Sequence, residues 1–107
     1  PAWFFHLDPD HDALAPYRRI RCPLLVVYGK LDYTIPVDQS EQRVSATLRE
    51  SGHPDWQVRV LERNGHGMTL MRADDPMRAV EPMQVSKETF ALLAEWLATH
   101  GLSRTGP

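Results

Sequence analysis

Apolar positions along the chain follow two different spacings. Residues 22–28, CPLLVVY, form a continuous apolar run that Gly29 ends. An unbroken β-rich run of this length suits a strand buried on both faces, as in a parallel sheet. Residues 56–62, WQVRVLE, alternate instead. Val58 and Val60 point one way, while Gln57, Arg59 and Leu61 point the other, as in a half-exposed strand at a sheet edge. Between these runs Val37, Val44 and Leu48 recur at roughly helical spacing, with Pro36 at the start and Gly52 at the end. Asp38 and Glu41 lie near the positive end of that helix and Arg49 near its negative end, as the helix dipole prefers. A further helix is predicted over 87–99, introduced by Ser86 and terminated by Gly101, with Phe90, Leu93, Trp96 and Leu97 facing inward. Near the start, residues 8–20 open with turn chemistry. Asp12 is placed to cap a short helix holding Leu14, Tyr17 and Ile20 on one face, with Pro16 in its first turn.

The predicted order is helix, strand, helix, strand, loop, helix. Residues 1–101 form one domain and 102–107 a tail. The loop, 67–85, contains Pro76 and Pro82 and all four methionines, Met68, Met71, Met77 and Met83. The strand–helix–strand piece is a right-handed crossover unit with parallel strands, so the fold class is α/β. Two parallel strands are too few for a stable open sheet. Strand 24–28 reads as a central strand, yet it finds one partner in this chain. The expectation is that a missing N-terminal segment, or another copy of the chain, pairs with its other edge. The aromatic start, Trp3-Phe4-Phe5, likewise reads as a beginning in mid-domain.

Composition narrows the class. Apolar residues make up 42% and charged residues 24% of the 107, with a net charge of −2, values of a globular domain. Charge is evenly spread: residues 1–53 hold 6 Lys+Arg against 7 Asp+Glu, and residues 54–107 hold 6 against 7. No basic stripe exists to meet a phosphate backbone, so a nucleic-acid partner is not expected. No run of about eighteen apolar residues exists to span a bilayer. Cys22 is alone and has no internal disulfide partner. It reads as a buried structural thiol, and nothing in it argues against the cytoplasm.

The candidate chemistry lies where parallel sheets gather it, beyond the carboxyl ends of the strands. Asp32 follows the first strand by four residues, in YGKLD, and His66 follows the second by four, in ERNGH. Adjacent strands lie about 4.8 Å apart, so the two loops emerge side by side. A carboxylate there can accept the Nδ1–H of the imidazole, fix its tautomer and stabilise the imidazolium.

The stretch from Ile20 to Pro36, IRCPLLVVYGKLDYTIP, resembles the penultimate-strand segment of α/β-hydrolases. That segment carries I-x-x-P, an apolar strand and G-x-x-D-x-x-x-P, the last filled here by Gly29, Asp32 and Pro36. Asn64-Gly65-His66-Gly67 is similar to the family's histidine loop, and the last helix ends in Trp96-Leu97, as in many members. The likeness covers residues 8–100 and leans toward dienelactone-hydrolase-like or prolyl-oligopeptidase-like members. It implies the C-terminal portion of an α/β-hydrolase sheet, two parallel strands with a crossover and flanking helices, incomplete without further strands. It implies that Asp32 is the acid and His66 the base of a catalytic triad acting on a small-molecule ester or related acyl substrate, without metal or organic cofactor. The family's nucleophile sits in a G-x-S-x-G elbow upstream. Ser40, Ser45, Ser51, Ser86 and Ser103 all lack the flanking glycines and follow the acid, so the chain alone is expected to be inactive.

Other residues have simpler explanations. Asp32 is also a residue type common in turns. His100 at a helix C-terminus is explained by the dipole, and His53 follows Gly52 in a turn. His6, His11, Asp8, Asp10 and Asp12 invite a metal reading. Counted from Asp8, however, the sixth and twelfth places of a calcium loop hold Ala13 and Arg19 rather than Gly and Glu, which leaves capping and turn formation. Tyr33 and Ile35, beside the acid, and Met68, two residues past the base, are candidates for a substrate pocket. Trp56 and Trp96 read as core. Two rival functions remain: a non-catalytic interaction module that pairs through its free strand edge, and a flavodoxin-like or receiver-like domain, which would need more strands and an acidic cluster.

Overall fold

A computed structural model describes residues 12–101. In chain order the elements are helix α1 (Ala15–Arg19), strand β1 (Leu24–Gly29), helix α2 (Val37–Glu50), strand β2 (Trp56–Leu61), a short 3-10 turn at His66–Met68 and helix α3 (Lys87–Thr99). The strands pair in parallel, from Leu24 opposite Trp56 to Gly29 opposite Leu61. The protein is therefore a small α/β unit with a two-stranded parallel sheet. Among the described residues no third strand pairs with either outer edge. The turn-rich HLDPDHD segment falls largely outside the described residues, except for Asp12, whose carboxylate accepts the Leu14 N–H at 2.9 Å and pairs with Arg18.

Helix α2 behaves as its spacing predicts. Val37, Val44 and Leu48 are buried, Leu48 completely, together with Thr47. Pro36 sits one residue ahead of the first helical position rather than within the first turn. In β2 the alternation holds from Trp56 to Val60. Leu61 departs from it: its phase matches the exposed Gln57 and Arg59, yet it is buried where the strand meets the loops beyond.

Three expectations are corrected. Strand β1 is apolar throughout but only half-buried from Leu24 to Tyr28, because no strand among the described residues covers its outer edge. Cys22 is exposed, since the strand starts two residues later and leaves it outside the sheet. Helix α3 buries Thr89 and Leu92, not the residues expected to face inward: Phe90 is 61% exposed, and Leu93 and Leu97 are also open. A two-stranded sheet is too narrow to cover both apolar faces of this helix. Trp96 and Trp56 are half-buried; Trp96 stacks on His100 at 4.1 Å between ring centroids, and the Arg49 guanidinium lies over Trp56.

The connector is folded back on itself. Single antiparallel bridges join Asn64 to Leu70, Thr69 to Val85 and Met71 to Ala79. Of its methionines Met71 enters the core, while Met77 and Met83 are exposed.

Candidate functional site

The carboxyl ends of β1 and β2 are tied together through their backbones. Lys30 N–H donates to the Leu61 carbonyl at 3.0 Å and Leu31 N–H to the Asn64 carbonyl at 2.9 Å. Gly29 makes this approach feasible. A Cβ there would run into the carbonyl oxygens of both Asn64 and Gly65, and those are backbone atoms that cannot swing aside. The two loops that carry Asp32 and His66 are thus fixed relative to one another by the main chain.

Asp32 closes a tight turn, its N–H donating to the Gly29 carbonyl at 3.1 Å. Its side chain is 8% exposed. One oxygen, Oδ1, accepts the Thr34 N–H at 2.9 Å and the Thr34 hydroxyl at 2.5 Å. Acceptance of an N–H two residues on is the ordinary behaviour of Asp in a turn. The other oxygen, Oδ2, lies 3.1 Å from His66 Nδ1. Burial pushes the Asp32 carboxyl up, but the hydroxyl and amide of Thr34 and the imidazole of His66 together outweigh it and hold the group below its usual range. An ionised carboxylate only accepts hydrogen bonds, so Nδ1 carries the proton and Nε2 is left as the basic nitrogen.

His66 opens a reverse turn. Thr69 N–H donates to the His66 carbonyl at 3.3 Å, and the two residues between, Gly67 and Met68, have φ of 66° and 62°. Glycine takes that left-handed conformation freely, and methionine rarely does. The imidazole is 76% exposed. Nε2 has no hydrogen-bond partner among the described residues. A buried carboxylate thus backs a solvent-open imidazole.

A second histidine–carboxylate pair shows what distinguishes the first. His100 Nδ1 lies 2.7 Å from the Trp96 carbonyl and Nε2 2.7 Å from Asp55 Oδ2. The backbone carbonyl, against some opposing burial and with help from Asp55, raises its pKa. With both nitrogens donating and the ring stacked on Trp96, it has no free lone pair to act as a base. It fastens the end of α3 to the start of β2.

Of the residues proposed to border a pocket, Tyr33 and Ile35 are exposed on the acid turn, and Met68 is half-buried on the histidine turn. A cleft of about 670 Å³ lies elsewhere, lined by Arg72, Arg78, Ala79, Val80, Glu81 and Met83. Asn64 is fully buried, and neither its Nδ2 nor its Oδ1 has a partner among the described residues. No group of three metal-ligating side chains occurs among the described residues, and none of their helices is long and apolar enough to cross a membrane. Sequence reasoning missed Thr34. The signal was the Asp-x-Thr spacing, which puts a hydroxyl and an amide within reach of one carboxylate oxygen.

No family model, curated protein or solved structure matches this chain. What the fold and the pair describe is an α/β unit with a carboxylate-backed imidazole at the carboxyl rim of two parallel strands.

Proposed function

We propose that this chain supplies the acid and base of a serine hydrolase of the α/β-hydrolase type, acting on a carboxylic ester or related acyl bond. The carrying observation is the 3.1 Å contact between Asp32 Oδ2 and His66 Nδ1 on an imidazole that is largely open to solvent. Nε2 takes the proton of an attacking serine hydroxyl and returns it to the leaving group, while Asp32 stabilises the imidazolium formed between those steps. Resemblance of the Gly29–Pro36 and Asn64–Gly67 segments to that family supports the same roles.

The serine comes from outside this chain. Ser86 caps α3 and accepts the Thr89 N–H, and Ser51 donates to the Leu48 carbonyl. Among the described residues, none of the hydrogen bonds of His66 involves a serine. The unpaired outer edge of β1 is the natural seat for the strands that would carry the nucleophile, or for another copy of the chain. A non-catalytic reading, in which that edge serves only to recruit a partner, is favoured by the exposed Phe90, Leu93 and Leu97 on α3.

The test is hydrolysis of a p-nitrophenyl ester by the protein that carries this chain together with its serine segment. Asp32→Asn is expected to lower turnover about 10⁴-fold while leaving the fold intact. Near-normal turnover in that variant, or labelling of the 107-residue chain alone by a fluorophosphonate, contradicts the assignment.

A further inference from the structure

We propose that Thr34 is the positioning residue of the Asp32–His66 pair: its hydroxyl clamps the carboxylate and gives the imidazole N–H a second acceptor. Its value to catalysis rests on the hydrolase reading, whereas its geometry stands apart from it.

A carboxylate can rotate about its Cβ–Cγ bond, so the oxygen that is tied down decides where the other one points. Thr34 ties Oδ1 twice, by its amide at 2.9 Å and its hydroxyl at 2.5 Å. Oδ2 is thereby aimed at His66 Nδ1. The hydroxyl has one proton. Short, charge-assisted bonds are the strong ones, so that proton goes to Oδ1. The hydroxyl oxygen, 3.2 Å from Nδ1, then faces the ring with a lone pair. Nδ1–H is shared between two acceptors, Oδ2 at 3.1 Å and Oγ1 at 3.2 Å. Both require the proton on Nδ1, and both leave Nε2 free.

The exposure of the ring gives this arrangement its importance. With three quarters of its side chain open to solvent, His66 has little packing to hold it, and water competes for its nitrogens. Polar contacts must supply the orientation. Valine at position 34 keeps the shape and the backbone amide but removes the hydroxyl, whereas serine keeps the hydroxyl.

Nitrogen-15 NMR of the imidazoles in the 107-residue chain reads the tautomer directly. Spectra are taken above the imidazole titration, with His66 assigned through His66→Gln. Wild type is expected to hold mainly the Nδ1–H tautomer. Thr34→Val should lose that preference, Thr34→Ser should retain it, and Asp32→Asn should lose it. If Thr34→Val keeps the wild-type tautomer while Asp32→Asn does not, the role of Thr34 is overturned and the hydrolase reading survives. If Asp32→Asn also leaves it unchanged, the pair itself fails, and the hydrolase reading with it. A wild-type measurement covers a Val variant that does not fold. The Thr34 hydroxyl proton should be protected from exchange and lie in nuclear Overhauser contact with the His66 Nδ1–H, and exchange at the bulk rate overturns the proposal.

Discussion

Asp32 divides its two oxygens between two tasks. Oδ1 holds its own turn through Thr34 and Oδ2 meets His66, so the structural and the chemical accounts of this residue are compatible. Its depressed pKa has a consequence for stability. Asp32 is charged more readily folded than unfolded, so its contribution is present above the ordinary carboxyl value near 3.8. It is lost as pH falls through the lower folded value. His100 has the opposite sign. Its pKa is raised above 6.5, so its contribution is full below that value and is lost as pH rises through the folded one. Urea midpoints at fixed protein concentration should fall on the alkaline side of 6.5, and His100→Gln should flatten that flank; an unchanged slope counts against a raised His100 pKa, held up first by the Trp96 carbonyl and then by Asp55. Met68 is the strained position of the histidine turn. Asparagine adopts left-handed backbone more readily, so Met68→Asn is expected to stabilise the chain by about 1 kcal/mol, read as a raised thermal midpoint. A lowered midpoint would mean that the methionine side chain contributes packing worth more than the strain.

At the scale of elements, α3 is the instructive case. Its start follows the sequence: Ser86 accepts the Thr89 N–H at 3.1 Å, and its hydroxyl lies 2.8 Å from that of Thr89. Ser86→Ala removes a buried cap and is expected to cost about 1–2 kcal/mol, measured by chemical denaturation; a loss below a few tenths would show that the cap is dispensable. The orientation of the helix does not follow the sequence. Residues 89, 92 and 96 face the protein where 90, 93, 96 and 97 were expected, a rotation of about 100°, or one residue. Helical periodicity marks apolar stripes, and α3 carries two that overlap. Which one is buried depends on what lies opposite.

For the molecule as a whole, the exposed face of α3 and the unpaired edge of β1 set the prediction. Six apolar side chains make up the buried hydrophobic core among the described residues, and small cores are marginal. An open parallel edge is a template for pairing with another chain. The isolated chain should therefore self-associate, and its thermal midpoint should rise with concentration, as mass action requires when only the folded form associates. Sedimentation velocity over a concentration series checks this, and Leu93→Lys should weaken the association. A monomer with a sharp, concentration-independent transition would contradict it.

The sequence by itself determined the element order, the parallel pair, the buried face of α2 and the positions of Asp32 and His66 at the ends of their strands. Each of these follows from local spacing or from the connectivity of a crossover unit. Tertiary structure alone decided that Gly29 lets the two loops touch, that Thr34 joins the carboxylate and imidazole, that Leu61 is buried against its phase, and which stripe of α3 faces inward. These depend on atoms far apart in the chain, whose approach no periodicity records. The pairing of His100 with Asp55, 45 residues away, is of the same kind: a helix end and a strand start meet only once the sheet and α3 have packed.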